Sequence, residues 1–337
     1  MTDEAPHVHD VITMGRVSVD VYPQQTGPLE DVTTFSKSVG GSATNVAVAA
    51  ARHGADAAVI TRTGNDPFGR YIARTLPEFG VANDFVEPVE GLNTPVAFCE
   101  IFPPDDFPLY FYRAPKAPDL MITSESLPLH AIERTRVFWT TVTGLSEEPS
   151  RSAHHAAAAA RSAALRAPGA TGRHTVLDLD YRAVFWPEPA AATREVAVAL
   201  DHATVAVGNR EECEIAVGET DPLRAADALL ERGVELAIVK QGPRGVLAKT
   251  RDETVAYRPH AVDVVNGLGS GDGFGGALVH GLLQGWSLDR TLAFANAAGA
   301  IVATRFECST AMPTSDEVES FLRTNPAPAT AEEGVGA

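Results

Sequence analysis

Short apolar runs alternate with helix-like stretches along most of the chain, and this alternation restricts the fold more than any other feature of the sequence. The apolar runs are rich in β-branched residues and occupy 11–14, 57–61, 137–141, 175–179, 204–207, 236–239 and 262–265. The helix-like stretches are rich in alanine, leucine and arginine and occupy 44–53, 67–79, 151–166, 222–232 and 288–304. Runs that are apolar throughout are typical of parallel strands buried on both faces. The pattern therefore predicts an α/β sandwich of three layers, with helices on both faces of a mostly parallel central sheet.

Two strand-like segments interrupt the alternation. "TPVAFCEIF" (94–102) and "LYFYRAP" (109–115) are joined by "PPDDFP", a turn-rich connection typical of a hairpin. We expect these segments to form a small β-stranded lid. The two ends of the chain, 1–9 and 325–337, carry no apolar pattern and are expected to be flexible tails.

Composition restricts the class of function. The chain has 337 residues, of which 45% are hydrophobic, and a formal net charge of −17. Such an acidic chain repels nucleic-acid backbones and anionic lipid surfaces, and no cluster of lysine and arginine opposes this charge. No apolar run reaches the roughly 18 residues of a membrane-spanning helix, and the cysteines show no metal-ligand spacing. We therefore expect a cytoplasmic protein with reduced thiols that binds neither nucleic acid nor membranes.

The segment "NGLGSGDGFGGALVHGLL" (266–283) places an acidic side chain among glycines, where a predicted strand runs into a helix. Ligands of open α/β sheets bind at such turns, and the free amides at the start of a helix attract anions. We interpret the amides of Gly269, Ser270 and Gly271 as a site for the negative charge of a transferred phosphoryl group. Asp272, in the first turn of the following helix, is the candidate general base.

Two other interpretations of this segment stay open at this point. The glycines could serve close helix packing while Asp272 caps the helix. Gly271, Gly273 and Gly276 also satisfy the GxGxxG pattern of dinucleotide sites. The dinucleotide interpretation is disfavoured, because Asp272 would stand where the pyrophosphate should lie and Asn296 stands near the position that requires an acidic residue.

Two signatures carry a family resemblance. They are "GGSATNVAVAAARHGADAAVITRTG" (40–64) and "GSGDGF" (269–274), and with them the chain resembles the ribokinase-like (PfkB) carbohydrate kinase family over essentially its whole length. The residues of the first signature that stand at the expected spacing are Gly40, Gly41, Ala43, Asn45, Ala47, Gly54 and Gly64. The resemblance implies a ribokinase-like kinase domain over 10–324, with the lid drawn from about 15–35 and 92–116.

Further phrases are similar to the branch of this family that acts on sugar acids. They are "GRVSVDVYP", "FPPDDFPLYFYR", "DLDYRAVFW", "VGNREE", "VKQGPRGVLA" and "FANAAGAIVATRFECSTAMPT". The resemblance implies ATP-dependent phosphorylation of a primary hydroxyl, with 5-dehydro-2-deoxy-D-gluconate of myo-inositol catabolism as the expected acceptor and its 6-phosphate as the product. The alternatives are 2-dehydro-3-deoxygluconate or another sugar as the acceptor and, from a different class of protein, a sugar or nucleotide sensor without catalysis.

The resemblance also implies a set of substrate-binding residues. They are Asp20, Gly40, Gly41, Asn45, Arg113 and Arg182. Arg113 and Arg182 are natural partners of a carboxylate or a transferred phosphate, because a guanidinium donates paired planar hydrogen bonds. From the residues alone, Asp20 could be a solvated strand residue, and each arginine could be an ordinary surface cation.

The residues that the resemblance assigns to the nucleotide are Asn209, Lys240, Gly242, Gly245 and Asn296. Glu212 completes with Asn209 an NxxE element that organises Mg²⁺ through water in relatives, and oxygen ligands suit such a hard cation. Without the resemblance, Glu212 is an acid in the first turn of a helix and Asn296 a helix-packing residue. Asn266 and Gly267 stand where most relatives have Asp-Thr, an element associated with a bound monovalent cation, so activation by K⁺ stays open.

The lid hairpin also bears on assembly. A two-stranded hairpin is barely stable alone, so its apolar face needs substrate or a partner subunit to cover it. We expect a homodimer joined through the lids, acting on a sugar acid and ATP.

Overall fold

The structure is a computed structural model that describes residues 7–167 and 170–326. Its strands, in chain order, are β1 (Val11–Met14), β2 (Ser18–Pro23), β3 (Phe35–Gly40), β4 (Ala57–Gly64), β5 (Val81–Ala82), β6 (Val86–Val89), β7 (Val96–Cys99), β8 (Leu109–Tyr112), β9 (Val137–Thr141), β10 (His174–Asp178), β11 (Val205–Asn209), β12 (Leu236–Lys240), β13 (Val246–Lys249) and β14 (Thr254–Tyr257). Its helices are α1 (Ser42–Arg52), α2 (Pro67–Glu78), α3 (Leu129–Arg134), α4 (Ser150–Leu165), α5 (Pro189–Leu200), α6 (Arg210–Val217), α7 (Pro222–Glu231), α8 (Ser270–Gln284), α9 (Leu288–Ala303) and α10 (Ser315–Thr324).

The large sheet has ten strands in the order β14-β13-β12-β11-β10-β9-β1-β4-β5, with β6 also paired to β4. The pairs from β12 through β1 to β4, β5 and β6 are parallel, and only β13 and β14 are added antiparallel at one edge. The mostly parallel central sheet predicted from the apolar runs is confirmed.

Helices cover both faces of this sheet. Val11 and Trp139 point into a core shared with α1, α8 and α9. Their chain neighbours Ile12 and Phe138 point into a core shared with α3 and α4 on the opposite face, and α5, α6 and α7 extend that layer along β10, β11 and β12. Successive residues of one strand therefore bury on opposite faces, which explains why the strands are apolar throughout. The predicted three-layer α/β architecture is confirmed.

The segment before α8 differs from the sequence prediction. We predicted a strand at 262–265, and this prediction is wrong, since no regular element lies between Tyr257 and Ser270. The amides of Val265 and Asn266 instead donate to the carbonyl of Ala303, at 2.9 and 3.2 Å. The apolar valines thus follow the end of α9 rather than a neighbouring strand.

The lid is a separate sheet of four strands in the order β3-β2-β7-β8. The predicted hairpin is present as the antiparallel pair β7 and β8. The lid is larger than its predicted segments, because β3 pairs with β2 along its whole length and ends at Gly40 rather than near residue 35. Sequence reasoning missed β3 because its exposed end, "FSK", carries no apolar pattern.

The predicted tails lie mostly outside the described residues, which leave out 1–6 and 327–337. Within the predicted amino-terminal tail, His9 is buried, and its Nδ1 lies 2.8 Å from Oδ1 of Asp56. Packing at this end therefore starts before residue 10. In the part of the chain that the structure describes, no helix combines the length and the apolar character that a membrane crossing needs.

Candidate active site

A cavity of about 200 Å³ lies at the carboxyl edge of the large sheet, between the lid and the start of α8. Parallel strands end at the same edge of a sheet, so β1, β10, β11 and β12 all deliver polar residues to this edge. The predicted site residues in its lining are Asp20, Gly41, Asn45, Arg182, Glu212, Lys240, Gly269, Gly271 and Asp272. The predicted residues outside its lining are Gly40, Arg113, Asn209, Gly242, Gly245, Ser270 and Asn296.

Asp272 stands in the first turn of α8 and faces the cavity. Burial raises the pKa of its carboxyl group to about 6, although a hydrogen bond from Asn45 opposes this shift. That bond, from Nδ2 of Asn45 to Oδ2 of Asp272, measures 2.8 Å. The carboxamide oxygen of Asn45 in turn accepts from the hydroxyl of Ser309 at 2.8 Å. Asn45 therefore holds Asp272 in place, a positioning role that the predicted sugar contact did not include.

The loop before α8 is fixed by its own polar contacts. Asn266 donates to the carbonyl of Phe306 at 2.8 Å and accepts from the amide of Leu268 at 3.0 Å. Gly269 then adopts a φ of +79°, and a Cβ atom there would lie 2.6 Å from Sγ of Cys308. Only glycine fits this left-handed position, which turns the chain into the helix.

The amides at the start of α8 are partly free. Among the described residues, the amides of Gly269 and Gly271 donate to no acceptor, whereas the amide of Ser270 lies 3.4 Å from the carbonyl of Gly267. A Cβ atom on Gly271 would lie 3.3 Å from Nζ of Lys240, so this ammonium group lies directly against the helix start. Free amides beside a cation form a site suited to an anion.

Asp20 reaches the cavity from β2 of the lid. Its Oδ1 accepts from the hydroxyl of Ser18 at 2.7 Å, and burial raises the pKa of its carboxyl group. A Cβ atom at Gly40 would lie 2.0 Å from the carboxyl carbon of Asp20. Gly40 thus leaves room for the Asp20 carboxylate rather than touching the cavity itself.

A charged cluster lies where β10 and β12 end. Nη2 of Arg182 binds Oδ1 of Asp180 at 2.8 Å, and its Nη1 lies 3.3 Å from Oε1 of Glu212. Although burial opposes ionisation of Asp180, Arg182 holds the pKa of that carboxyl group below its usual value. Burial raises the pKa of Asp178 to about 8, with Lys240 opposing the shift. Burial lowers the pKa of Lys240, but the surrounding carboxylates outweigh it and keep the ammonium charged.

Asn209 and Glu212 form a reciprocal cap at the start of α6. Oδ1 of Asn209 accepts from the amide of Glu212 at 2.9 Å, and Oε2 of Glu212 accepts from the amide of Asn209 at 2.7 Å. This is the capping box of helix starts. The other oxygen of Glu212 faces Arg182 and the cavity, so Glu212 is placed to interact with a cation there. Asn209 caps the start of α6.

The remaining nucleotide candidates lie along the outer side of β12 to β14. Gly245 has a φ of +96°, and a Cβ atom there would lie 1.9 Å from the carbonyl oxygen of Tyr257. Gly242 has a φ of +56° with open space around it. Asn296 on α9 donates to the carbonyl of Arg258 at 2.9 Å. Glycine is therefore required at position 245 because a larger side chain would clash with the backbone. The turn at Gly242, after Lys240, has free space around it.

Arg113 lies outside the cavity. Its Nη2 binds Oδ2 of Asp119 at 2.8 Å, and its guanidinium carbon lies 5.0 Å from the ring centroid of Phe185. This pairing holds Arg113 against the segment that follows the lid, outside the cavity where the resemblance implied a substrate contact.

Sequence reasoning missed three charged residues of the lining, Arg16, Asp178 and Asp180. Each stands at or just after the carboxyl end of a buried strand. A polar residue in that position is a usable signal, because the carboxyl ends of parallel strands form the ligand edge.

A model of the pfkB family of carbohydrate kinases matches residues 8–315. The chain belongs to this family. As a pfkB kinase it is an ATP-dependent sugar kinase, and this confirms the enzyme class implied by the resemblance. The dinucleotide-site and sensor interpretations are thereby set aside.

Relatives of this pfkB kinase include enzymes named for one sugar acid. The 5-dehydro-2-deoxygluconokinase of Listeria monocytogenes serotype 4a is 30% identical over 321 residues, covering 93% of this chain and 95% of that protein. The 5-dehydro-2-deoxygluconokinase of Photobacterium profundum is 33% identical over 323 residues, covering 94% of this chain and 95% of that protein. A putative ribokinase II from E. coli, solved in complex with ATP and Mg²⁺, has the same fold, with a TM-score of 0.84 at 22% identity over 94% of this chain and 100% of that chain.

Proposed function

We propose that this kinase transfers the terminal phosphoryl group of ATP to a primary hydroxyl of 5-dehydro-2-deoxy-D-gluconate, giving the 6-phosphate. The observation that carries the proposal is the carboxylate of Asp272 beside free amides at the start of α8, inside a cavity that the lid covers. The names of the relatives at 30% and 33% identity support a sugar acid as the acceptor.

Asp272 acts as the general base. A pKa of about 6 leaves this carboxylate mostly ionised at neutral pH, yet more basic than an ordinary aspartate. It accepts the proton of the attacking hydroxyl, whose oxygen then forms the new bond to phosphorus as the bond to ADP breaks.

The charge that develops on the transferred phosphoryl group meets fixed donors. The amides of Gly269 and Gly271 and the ammonium of Lys240 lie at the same end of the cavity. Donors that are already in place cost no reorganisation during the reaction, and this makes such electrostatic stabilisation effective.

Magnesium ion fits the oxygen donors of this cavity. Asp178 and Glu212 both line it, and carboxylates are ligands that Mg²⁺ accepts directly or through water. Binding of the ion would displace the proton that burial retains on Asp178. When bound, the ion would offset the charge of the ATP phosphates.

Replacing Glu212 with glutamine is expected to raise the Mg²⁺ concentration for half-maximal activity by roughly 10-fold or more, because one carboxylate that serves the ion is lost. Glutamine can still complete the capping box, so α6 should keep its start. A Mg²⁺ titration of ADP release measures the effect, with Glu211→Gln on the exposed side of the same turn as the matched control. An unchanged titration would leave Glu212 with its capping role alone.

Replacing Asn45 with alanine is expected to move the acidic limb of the kcat/KM profile to higher pH. Activity falls as Asp272 is protonated below a pKa of about 6, and the hydrogen bond from Asn45 favours the ionised form. Its loss therefore raises this pKa. Steady-state rates across pH measure the shift, with the exposed Asn65→Ala as the control; a limb that stays in place would argue against Asp272 as the titrating base.

A panel of acceptors tests the proposed substrate. Purified protein with Mg²⁺ and ATP should release ADP fastest with 5-dehydro-2-deoxy-D-gluconate, more slowly with 2-dehydro-3-deoxygluconate, and slowest with ribose and fructose. A higher kcat/KM for 2-dehydro-3-deoxygluconate would move the assignment to that acid. ADP release without any acceptor preference would contradict the proposal.

A homodimer joined through the lids is part of the same proposal. Phe35 on β3 and Leu109, Tyr110 and Tyr112 on β8 are large side chains that are 37–66% exposed at the two edges of the lid sheet. Light scattering at micromolar concentration should give twice the mass of the chain, and the double variant Phe35→Ser, Tyr112→Ser should shift the protein towards the monomer. A monomeric wild type would contradict this assembly.

A further inference from the structure

Arg16 brings a guanidinium group into the cavity from the loop between β1 and β2. The residue is only 7% exposed, and what remains open faces the cavity lining. Its backbone is fixed, since its carbonyl accepts from the hydroxyl of Thr44 at 3.1 Å, and Gly41 packs so closely that a Cβ atom there would lie 2.4 Å from this carbonyl oxygen. The point from which the side chain enters the cavity is therefore fixed.

One edge of this guanidinium carries uncommitted donors. Nε of Arg16 is buried and has no hydrogen-bond partner among the described residues. Nη2 lies 3.9 Å from Oδ2 of Asp180, beyond hydrogen-bond distance. That oxygen already accepts from the hydroxyl of Ser42 at 2.6 Å. A buried cation without hydrogen-bonded partners is costly, so the part of this guanidinium that reaches the cavity is suited to an anionic ligand.

The other cations near the site have an ion-pair partner, an assigned role or a position outside the lining. Arg182 binds Asp180 and Glu212, and it also donates to the carbonyl of Tyr181 at 2.9 Å. Lys240 lies against the start of α8, at the end of the cavity that we assign to the phosphoryl group. Arg113 lies outside the lining; its Nη2 is paired with Asp119, and its Nη1 is buried without a partner among the described residues. Among the described residues of the lining, the side chains of Arg16 and Lys240 make no hydrogen bond; because Lys240 lies at the phosphoryl end, Arg16 is the cation left for a second anionic group.

The position of Arg16 points to the sugar end of the cavity. Its guanidinium carbon lies 5.4 Å from the ring centroid of Phe111, a lid residue that also lines the cavity. Arg16 is also close enough to Asp20 to oppose the burial-driven rise of that carboxyl pKa. Without Arg16, this acidic end of the cavity would repel an anionic sugar.

We propose that the guanidinium of Arg16 binds the carboxylate of the acceptor, and thereby selects sugar acids over neutral sugars. The inference rests on the proposed function, because it requires an acidic acceptor. It replaces Arg113 and Arg182, to which the sequence had assigned the carboxylate. A planar guanidinium edge matches a carboxylate in two bonds, which an ammonium cannot reproduce.

The test compares two acceptors that differ only at the group in question. They are 5-dehydro-2-deoxy-D-gluconate and the same carbon chain with a hydroxymethyl group in place of the carboxylate. For Arg16→Gln we expect the acid-to-neutral ratio of kcat/KM to fall roughly 10- to 100-fold, mostly through KM for the acid. Arg16→Lys keeps the charge but loses the planar pair, so its ratio should fall less. Arg113→Gln, a matched change outside the cavity, should leave the ratio unchanged.

Each outcome decides a separate point. If the wild type prefers the acid but Arg16→Gln slows both acceptors equally, Arg16 serves the transferred phosphate or the shape of the site, and the inference is wrong while the proposed function stands. If Arg113→Gln lowers the ratio and Arg16→Gln does not, the carboxylate lies at Arg113. If the wild type prefers the neutral analogue, the proposed function fails and the carboxylate role fails with it. Thermal melting of each variant, with Arg16→Lys as the milder change, separates lost folding from lost recognition.

Discussion

Asp272→Asn is expected to lower kcat roughly 10²- to 10⁴-fold while leaving ATP affinity similar, because asparagine keeps the size of the side chain but cannot take up a proton at neutral pH. The amide oxygen of the new residue can still accept the 2.8 Å hydrogen bond from Asn45, so the start of α8 should keep its geometry. Steady-state ADP release with a separate ATP-binding titration measures both quantities.

The matched control is Asp263→Asn, the same chemical change at a residue of the loop that leads to α8, away from the cavity lining. It should leave kcat near the wild-type value. Near-normal turnover of Asp272→Asn would remove Asp272 from the mechanism and return it to the role of a helix-start acid.

Gly41→Ala is expected to lower the stability of the fold strongly. Gly41 has a φ of +99°, and a Cβ atom there would lie 2.4 Å from the carbonyl oxygen of Arg16 and 2.7 Å from Cα of Val17. The strained backbone and the overpacking together should lower the free energy of unfolding by roughly 2–6 kcal/mol. Activity should fall as well, because the carbonyl of Arg16 cannot move without displacing the guanidinium.

Gly54→Ala provides the control for this change. Gly54 has a similar φ of +90° but open space where a Cβ atom would stand. Its substitution therefore measures only the free-energy cost of the strained backbone, without a steric clash. Denaturant unfolding of both variants measures the difference. Equal losses of stability would show that the close approach to Arg16 contributes nothing.

The architecture was predictable because burial imposes its own pattern. Strands such as Val11–Met14 are covered on both faces, so every residue in them is apolar or fully buried and the run is visible in the sequence. The valines at 262–265 show a similar pattern without being a strand; they are only partly buried, and the backbone there is held by hydrogen bonds to the end of α9. A short apolar run therefore indicates a strand only when the tertiary structure supplies neighbouring strands to pair with it.

The site was predictable only in part, for a related reason. Asp272 could be identified because glycines surround it, and a cluster of glycines usually marks a place where the backbone needs a conformation or a close approach that other residues do not allow. Arg16 and Asp180 carry no such signal, since their roles depend on which partner each side chain meets. Arg113 shows the converse, because its sequence context suggested a ligand, whereas its side chain is paired with Asp119. Which partner a charged side chain pairs with depends on distances in three dimensions, and these cannot be read from spacing along the sequence.

The central claim is that this cavity transfers phosphate from ATP to a sugar acid, and a competition within one reaction tests it most directly. Equal concentrations of 5-dehydro-2-deoxy-D-gluconate and fructose are mixed with Mg²⁺ and a limiting amount of ATP, and phosphorus NMR quantifies the two sugar phosphates. The product ratio equals the ratio of the two kcat/KM values. We expect the 6-phosphate of the acid to exceed fructose phosphate by roughly 10-fold or more, the selectivity that one charge-assisted pair of hydrogen bonds provides. Equal amounts of the two products, or an excess of fructose phosphate, would contradict the claim.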